Sequence, residues 1–240
     1  MSEEQSLPDC WTKFQQVLDN GIDRINLYGP PGTGKTYCGL THGSVEAGSF
    51  RLVCTEDMTN ADVTGSFMLE KGDFRWLSGA ALKAWDGDGV QGGRLVVDEI
   101  DKAGGDVFAT LLAMLDTPDS ASWENPQSGK VHRPKPGFTA VMTTNIEEMR
   151  ELPPALADRF PVRIRIDQPH PDALKLLSRD LRRVCTQMAD AGERRISLRQ
   201  WMSFDSLRKG LEQARAAEIV FGDRAESILD AIAVNGVTRS

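Results

Sequence analysis

A short apolar run, Arg24-Ile25-Asn26-Leu27-Tyr28, leads directly into Gly29-Pro30-Pro31-Gly32-Thr33-Gly34-Lys35-Thr36, and that junction leaves the chain little choice of fold. The run alternates like the end of a buried strand, and the eight residues after it form a complete G-x-x-x-x-G-K-[ST] phosphate-binding loop. Its glycines let consecutive backbone N–H groups turn inward as an anion nest, with the positive end of the next helix beneath the phosphates. In such a loop Lys35 reaches the β- and γ-phosphates and the Thr36 hydroxyl sits on Mg²⁺. Residues 29–36, with Tyr37 beside them, are the candidate nucleotide contacts. A glycine-rich turn that happens to carry a lysine is the alternative, and the full match in this context argues against it. The chain is expected to bind a nucleoside triphosphate.

The remaining elements extend this start into an α/β sheet. A helix is expected over 9–20, with Trp11, Phe14, Val17 and Leu18 on one face and Asn20-Gly21 ending it. After the loop a helix is expected to about Ala47, then a strand at Phe50–Cys54. Arg94-Leu95-Val96-Val97-Asp98 is the near-continuous apolar run of a strand covered on both faces. Residues 138–144 and 160–166 supply a fourth and a fifth strand, with a helix over Val107–Leu115 between the third and the fourth. Two connections are long: 55–93 reads as a projecting hairpin around Glu70-Lys71-Gly72 followed by a helix near 78–85, and 117–137 is a polar insertion. Loops of that length are more often functional than idle. After Asp167-Gln168-Pro169 no strand is expected, only amphipathic helices at about 171–190, 203–219 and 223–234. A domain boundary is therefore placed near 168, giving a nucleotide-binding core over 1–167 and a helical domain over 168–240.

Charge and cysteine usage narrow the function classes. The net charge of −7 is uneven: residues 1–167 hold 16 basic and 25 acidic side chains, residues 168–240 hold 12 and 10. An acidic main body argues against broad contact with a nucleic-acid backbone. Cys10, Cys38, Cys54 and Cys185 are scattered without metal or redox spacing and read as small buried hydrophobes. The polar, acidic opening Met-Ser-Glu-Glu-Gln-Ser is unlike a signal peptide, and no apolar run approaches the roughly 18–20 residues of a membrane span. A cytoplasmic protein is expected.

The third strand ends in Asp98-Glu99, and strand ends are where such a sheet presents ligand groups. Asp98 suits Mg²⁺, directly or through water. Glu99 suits the orientation and deprotonation of an attacking water. With the phosphate loop, Val97-Asp98-Glu99-Ile100-Asp101, Thr143-Thr144-Asn145, Leu156-Ala157-Asp158-Arg159-Phe160 and Ser197-Leu198-Arg199 in that order, the chain resembles the AAA+ ATPases, and within them the MoxR-like and dynein-related branch. The resemblance covers roughly residues 20–235. It implies a RecA-like core with a mostly parallel five-stranded sheet, a small all-helical lid, and hairpins around 65–77 and 120–135.

By the same resemblance Asn145 matches the polar residue that positions the attacking water. Arg159 matches the arginine reaching into a neighbouring subunit's site, and Arg199 the lid arginine at the γ-phosphate. Rival readings stay open: Arg159 as a local salt bridge, Arg150, Arg163 or Arg165 as the finger, and Arg199 as one of several lid arginines. The chain departs from the family pattern where Ile146 follows Asn145 and where Leu198 precedes Arg199, both usually proline. Phe67, Phe74 and Trp76 lie in the first hairpin, either exposed for a partner or packed on the core. The implied function is a Mg²⁺-dependent ATPase working as a homo-oligomeric ring, expected to be a hexamer, that remodels or assembles a partner protein in the manner of a chaperone. The resemblance also implies a separate adaptor with a von Willebrand A domain. A nucleic-acid motor or restriction-type subunit and an ATP-dependent scaffold are the alternatives.

Overall fold

In a computed structural model, residues 7–145, 152–189 and 196–237 are described. In chain order the elements are α1 (Asp9–Asp19), β1 (Arg24–Tyr28), α2 (Lys35–Thr41), β2 (Ser49–Val53), α3 (Asn60–Thr64), β3 (Gly65–Glu70), β4 (Asp73–Ser78), α4 (Ala80–Asp86) and β5 (Arg94–Asp98). There follow α5 (Gly105–Met114), β6 (Trp123–Glu124), β7 (Val131–His132), β8 (Thr139–Thr144), α6 (Pro154–Arg159) and β9 (Val162–Arg165). The helices α7 (Pro171–Lys175), α8 (Arg179–Ala189), α9 (Leu198–Leu207), α10 (Gln213–Phe221) and α11 (Ala225–Val237) complete the chain. It divides into two compact units: one of residues 13–29 and 35–165, the other of the described parts of 1–12, 30–34 and 166–240.

The first unit is built on a five-stranded sheet in the order β2-β5-β8-β1-β9, every pair parallel. The most apolar strands, β5 and β8, lie inside it, and the mixed strands β2 and β9 form its edges, as burial on two faces requires. On one face Leu95, Val97, Ala140 and Met142 join the cluster that includes Leu111, Leu156 and Phe160. On the other, α2 comes close because Gly39 has no side chain: a Cβ there would lie 3.4 Å from Val96 and 3.5 Å from Val141. The α/β class and the five strands agree with the sequence expectation.

α2 ends at Thr41, six residues short of the expected Ala47. Gly43 turns into the left-handed region at φ 72°. The buried Arg94 guanidinium donates to the carbonyls of Gly39 (3.1 Å), His42 (2.6 Å) and Ser44 (3.2 Å), the oxygens a longer helix would have used itself. Desolvation brings the Arg94 pKa down to about 10, still charged at neutral pH.

β3 and β4 form the first projecting hairpin, closed by Lys71 and Gly72 at φ 53° and 93°, the positive pair a two-residue turn demands. Phe67 and Phe74 are exposed on it. Trp76 packs edge-on against Phe67 and tilts over Trp123 of the second hairpin, at 5.1 and 5.2 Å between ring centroids.

The helical unit has a separate apolar cluster around Leu181, Trp201, Phe204 and Phe221. Here the expected helices are corrected. The span 171–190 is broken between α7 and α8, where Asp205 accepts bonds from the Ser178 N–H (2.8 Å) and hydroxyl (3.0 Å). The span 203–219 is two helices: α9 starts at the Ser197 cap, its box completed by Gln200, and a turn at Arg208-Lys209-Gly210 separates it from α10. Arg208 bridges Asp180 and Asp205. No described helix is long and apolar enough to cross a membrane.

Candidate nucleotide-binding site

The parallel register places the last residues of three neighbouring strands side by side, Tyr28 opposite Thr144 and Asp98 opposite Thr143. Open α/β sheets bind ligands beyond these carboxyl ends. Gly29, Gly32 and Gly34 adopt φ of 125°, 75° and 88°, conformations that a side chain would strain. The Thr33 hydroxyl donates to the Pro30 carbonyl at 3.2 Å. Lys35, at the start of α2, is buried, and its ammonium donates to the Gly29 carbonyl at 2.8 Å and to Asn145 Oδ1 at 3.1 Å. Tyr37 is exposed one residue after Thr36.

Asp98 gathers three donors. Thr36 donates to its Oδ1 at 2.8 Å, Thr143 donates to the same oxygen, and Arg51 donates to Oδ2 at 2.5 Å. Burial by itself would raise the Asp98 pKa, but the bonds from Thr143, Arg51 and Thr36 outweigh it and hold the group below the usual carboxylate range. A buried, ionised carboxylate touching a hydroxyl is the hard-oxygen pair that suits Mg²⁺. The residues present fit that ion.

Glu99 follows with φ 56° and ψ 44°, a left-handed conformation uncommon for any residue but glycine. Its Oε2 accepts a bond from Lys102 at 2.6 Å, and that bond with its opposite charge raises the Lys102 pKa. The Glu99 N–H donates to the Thr143 carbonyl at 3.1 Å, and the Thr144 hydroxyl donates to Asp101 at 3.0 Å. A left-handed residue at the carboxyl end of a central strand is the kind of local strain that clusters at functional positions. Burial, helped by Asp101, Asp98 and Glu99, pushes the neighbouring Cys54 thiol up to about 12, so it stays neutral.

The arginines separate clearly. Arg159 donates to the carbonyls of Leu112 (2.8 Å) and Ala155 (3.2 Å) and to Asp116 (3.0 Å), all within its own unit. Arg163 stacks over Tyr28 at 4.5 Å, and its Nε and Nη2 are buried with no hydrogen-bond partner among the described residues. Arg165 is exposed, as is Arg199 in the first turn of α9. Arg150 and Ile146 lie outside the described residues. Arg51, Thr143 and Lys102 were not singled out by role in the sequence. A cation at the middle of the apolar run Phe50–Val53 was the one signal pointing to Arg51.

A cleft of about 660 Å³, lined among others by Leu18, Arg94, Lys135 and Phe138, opens at the amino ends of the strands, opposite Lys35 and Asp98.

The family model described as AAA domain (dynein-related subfamily) matches residues 24–160. The Holliday junction branch migration complex subunit RuvB of Limosilactobacillus reuteri is 28% identical over 195 residues, covering 80% of this chain and 52% of its own length. Protein NorQ of Paracoccus denitrificans is 28% identical over 163 residues, covering 66% of this chain and 57% of its own. The chain thus spans little more than half the length of these relatives. A solved structure of a putative ATPase from Cytophaga hutchinsonii aligns with a TM-score of 0.44 at 19% identity, over 68% of this chain and 50% of that one.

Proposed function

This chain belongs to the dynein-related subfamily of AAA domains, and we propose that it is a Mg²⁺-dependent ATPase that works as a ring, with six subunits as the expected number, and spends hydrolysis on remodelling or assembling a partner protein. The observation that carries the reading is the convergence of Lys35, Thr36, Asp98 and Asn145: the ammonium touches Asn145, and the hydroxyl touches the carboxylate.

In this reading residues 1–167 are the core and 168–240 the lid. The loop from Gly29 to Thr36 binds the phosphates through its backbone, and Lys35 adds a cation at the β- and γ-positions. Thr36 and Asp98 hold Mg²⁺, which when bound neutralises phosphate charge. Glu99 takes the proton of the attacking water once its carboxylate leaves Lys102, and Asn145 orients that water. Arg199 steadies the γ-phosphate from the lid, and Arg159 serves a neighbouring subunit. That last role requires Arg159 to exchange its bonds to Leu112, Ala155 and Asp116 for the neighbour's phosphate. A cytoplasmic location and a separate adaptor with a von Willebrand A domain belong to the same proposal.

A second reading is a nucleic-acid motor, favoured by the similarity to a branch-migration subunit and opposed by the acidic 1–167 segment. Salt-sensitive stimulation of turnover by DNA or RNA would select it.

The decisive test is the solution mass of Glu99→Gln, with and without ATP and Mg²⁺, over a range of protein concentrations. Growth from small species to a closed ring on adding nucleotide is the expected result. A monomer under all conditions would refute the shared site and leave a switch, or a subunit completed by another protein.

A further inference from the structure

The first N–H groups of a helix have no acceptor inside it, and at the start of α9 the first of them belongs to Leu198. This one is not left to solvent. It donates at 3.1 Å to the carbonyl of Gly32, in the middle of the phosphate loop. Both residues lie in the same compact unit. The approach is tight, since a Cβ on Gly32 would lie 2.4 Å from the Ser197 Cβ and 3.1 Å from its Cα. Gly32 is therefore constrained twice, by its φ of 75° and by the helix start against it.

The donor is itself firmly held. The Gln200 N–H donates to the Ser197 hydroxyl at 3.2 Å, while Gln200 Oε1 accepts from the Ser197 N–H at 3.0 Å, closing a reciprocal box around the helix start. The Leu198 side chain is buried in the cluster with Trp201 and Phe204. A rigid donor thus meets a loop carbonyl that no side chain of the loop satisfies among the described residues.

We propose that Leu198, through its backbone N–H, is a positioning residue for the phosphate loop. It fixes the peptide between Gly32 and Thr33 with the carbonyl toward α9 and the opposite edge, the Thr33 N–H, presented for an anion. A peptide whose carbonyl accepts a hydrogen bond is polarised and donates more strongly from its N–H. A loop already held in one orientation also loses less freedom when phosphate binds. The proposal rests on the nucleotide-binding reading above and adds to it the device that presets the loop.

Proline removes this N–H without disturbing the helix start. It is accepted at the first position of a helix, and the residue before it must be extended, as Ser197 already is at φ −69°, ψ 150°. Leu198→Pro and Leu198→Ala both lose the buried isobutyl group, and only the first loses the donor. In the full-length protein, Leu198→Pro is expected to bind a fluorescent ATP analogue about threefold to tenfold more weakly than Leu198→Ala, the usual range for one net hydrogen bond. KM for ATP should rise by the same factor with kcat nearly unchanged, because the contact is away from the reacting atoms. Equal affinities in the two variants would overturn the proposal. Amide hydrogen exchange of the wild type gives a check that needs no variant: the Leu198 N–H should exchange at least about tenfold more slowly than that of Arg199. Equal rates would also overturn it. Failure of the wild type to bind any nucleoside triphosphate would instead refute the functional reading, and the proposed role with it, even if the exchange data supported the hydrogen bond.

Discussion

Arg159→Ala separates two roles that one side chain is asked to fill. Within its own subunit the guanidinium holds the carbonyls of Leu112 and Ala155 and the carboxylate of Asp116. The ion pair is partly exposed, 23% at Arg159 and 35% at Asp116, so after solvent screening it is worth about 0.5 kcal/mol. The two bonds to carbonyls add about 0.5–1.5 kcal/mol each. Truncation should therefore destabilise by about 2 kcal/mol, a fall of about 4–8 °C in Tm for a chain of this size. Asp116→Asn removes only the ion pair and should cost well under ~1 kcal/mol. If Arg159 also serves a neighbour, turnover of Arg159→Ala should fall by about 10³-fold or more, while Asp116→Asn, which frees the guanidinium, keeps its rate. The assay is ATP turnover at protein concentrations where assembly is complete, for each variant alone and for Arg159→Ala mixed with Lys35→Ala. Rescue in the mixture is expected, since each variant supplies what the other lacks. If the two variants lost turnover only in proportion to lost folding, and no mixture recovered activity, the trans role would be refuted and Arg159 would be a tertiary clamp.

Glu99→Gln should bind nucleotide normally and hydrolyse it at least ~100-fold more slowly in a single-turnover assay, whereas Lys35→Ala should fail to bind. Arg51→Met should lower the Mg²⁺ concentration needed for half-maximal nucleotide binding by about threefold to tenfold, the equivalent of ~1 kcal/mol, because the guanidinium competes for Asp98; an unchanged Mg²⁺ titration would rule this out. Arg208→Ala should cost about 3 kcal/mol in urea melts at pH 7, since Asp205 is buried and loses its cation. Asp180 is held below the usual carboxylate range chiefly by the Arg208 bond. For Asp205, burial pulls upward and is outweighed by Ser178 and Arg208. Both depressed values contribute stability that is present above the unfolded pKa of 3.8 and lost as pH falls through the lower folded values. The variant should show a shallower loss of stability below about pH 4, and parallel curves would contradict this assignment.

The sheet was legible in the sequence because its strands announce themselves locally: a short apolar run such as Arg94–Asp98, preceded by Gly92-Gly93, reads as a strand covered on both faces. The phosphate loop was legible because its glycines and lysine act through covalent spacing. Elements whose limits depend on distant groups were not. α2 stops at Thr41 because Arg94, more than fifty residues on, takes its carbonyls. The break after α7 depends on Asp205 reaching Ser178. The start of α9 was readable locally, in the Ser197-x-x-Gln200 box, but the apolar pattern drew the expected helix five residues later. In the site, Asp98 and Glu99 could be found by position, whereas the partners that tune them, Arg51, Thr143 and Lys102, come together only in the folded sheet.

The left-handed backbone of Glu99 sets chemistry against folding. A residue with a Cβ in that region carries roughly 1–2 kcal/mol of strain, and glycine would carry almost none. Glu99→Gly should therefore melt higher than the wild type while turning over at least ~100-fold more slowly, a reversal of the usual link between damage and instability. Selection for a more stable fold alone would act against this position, as it would against Lys71 at φ 53°. In the proposed mechanism the carboxylate at φ 56° is kept at a cost in stability, and a screen that scored stability alone would discard it.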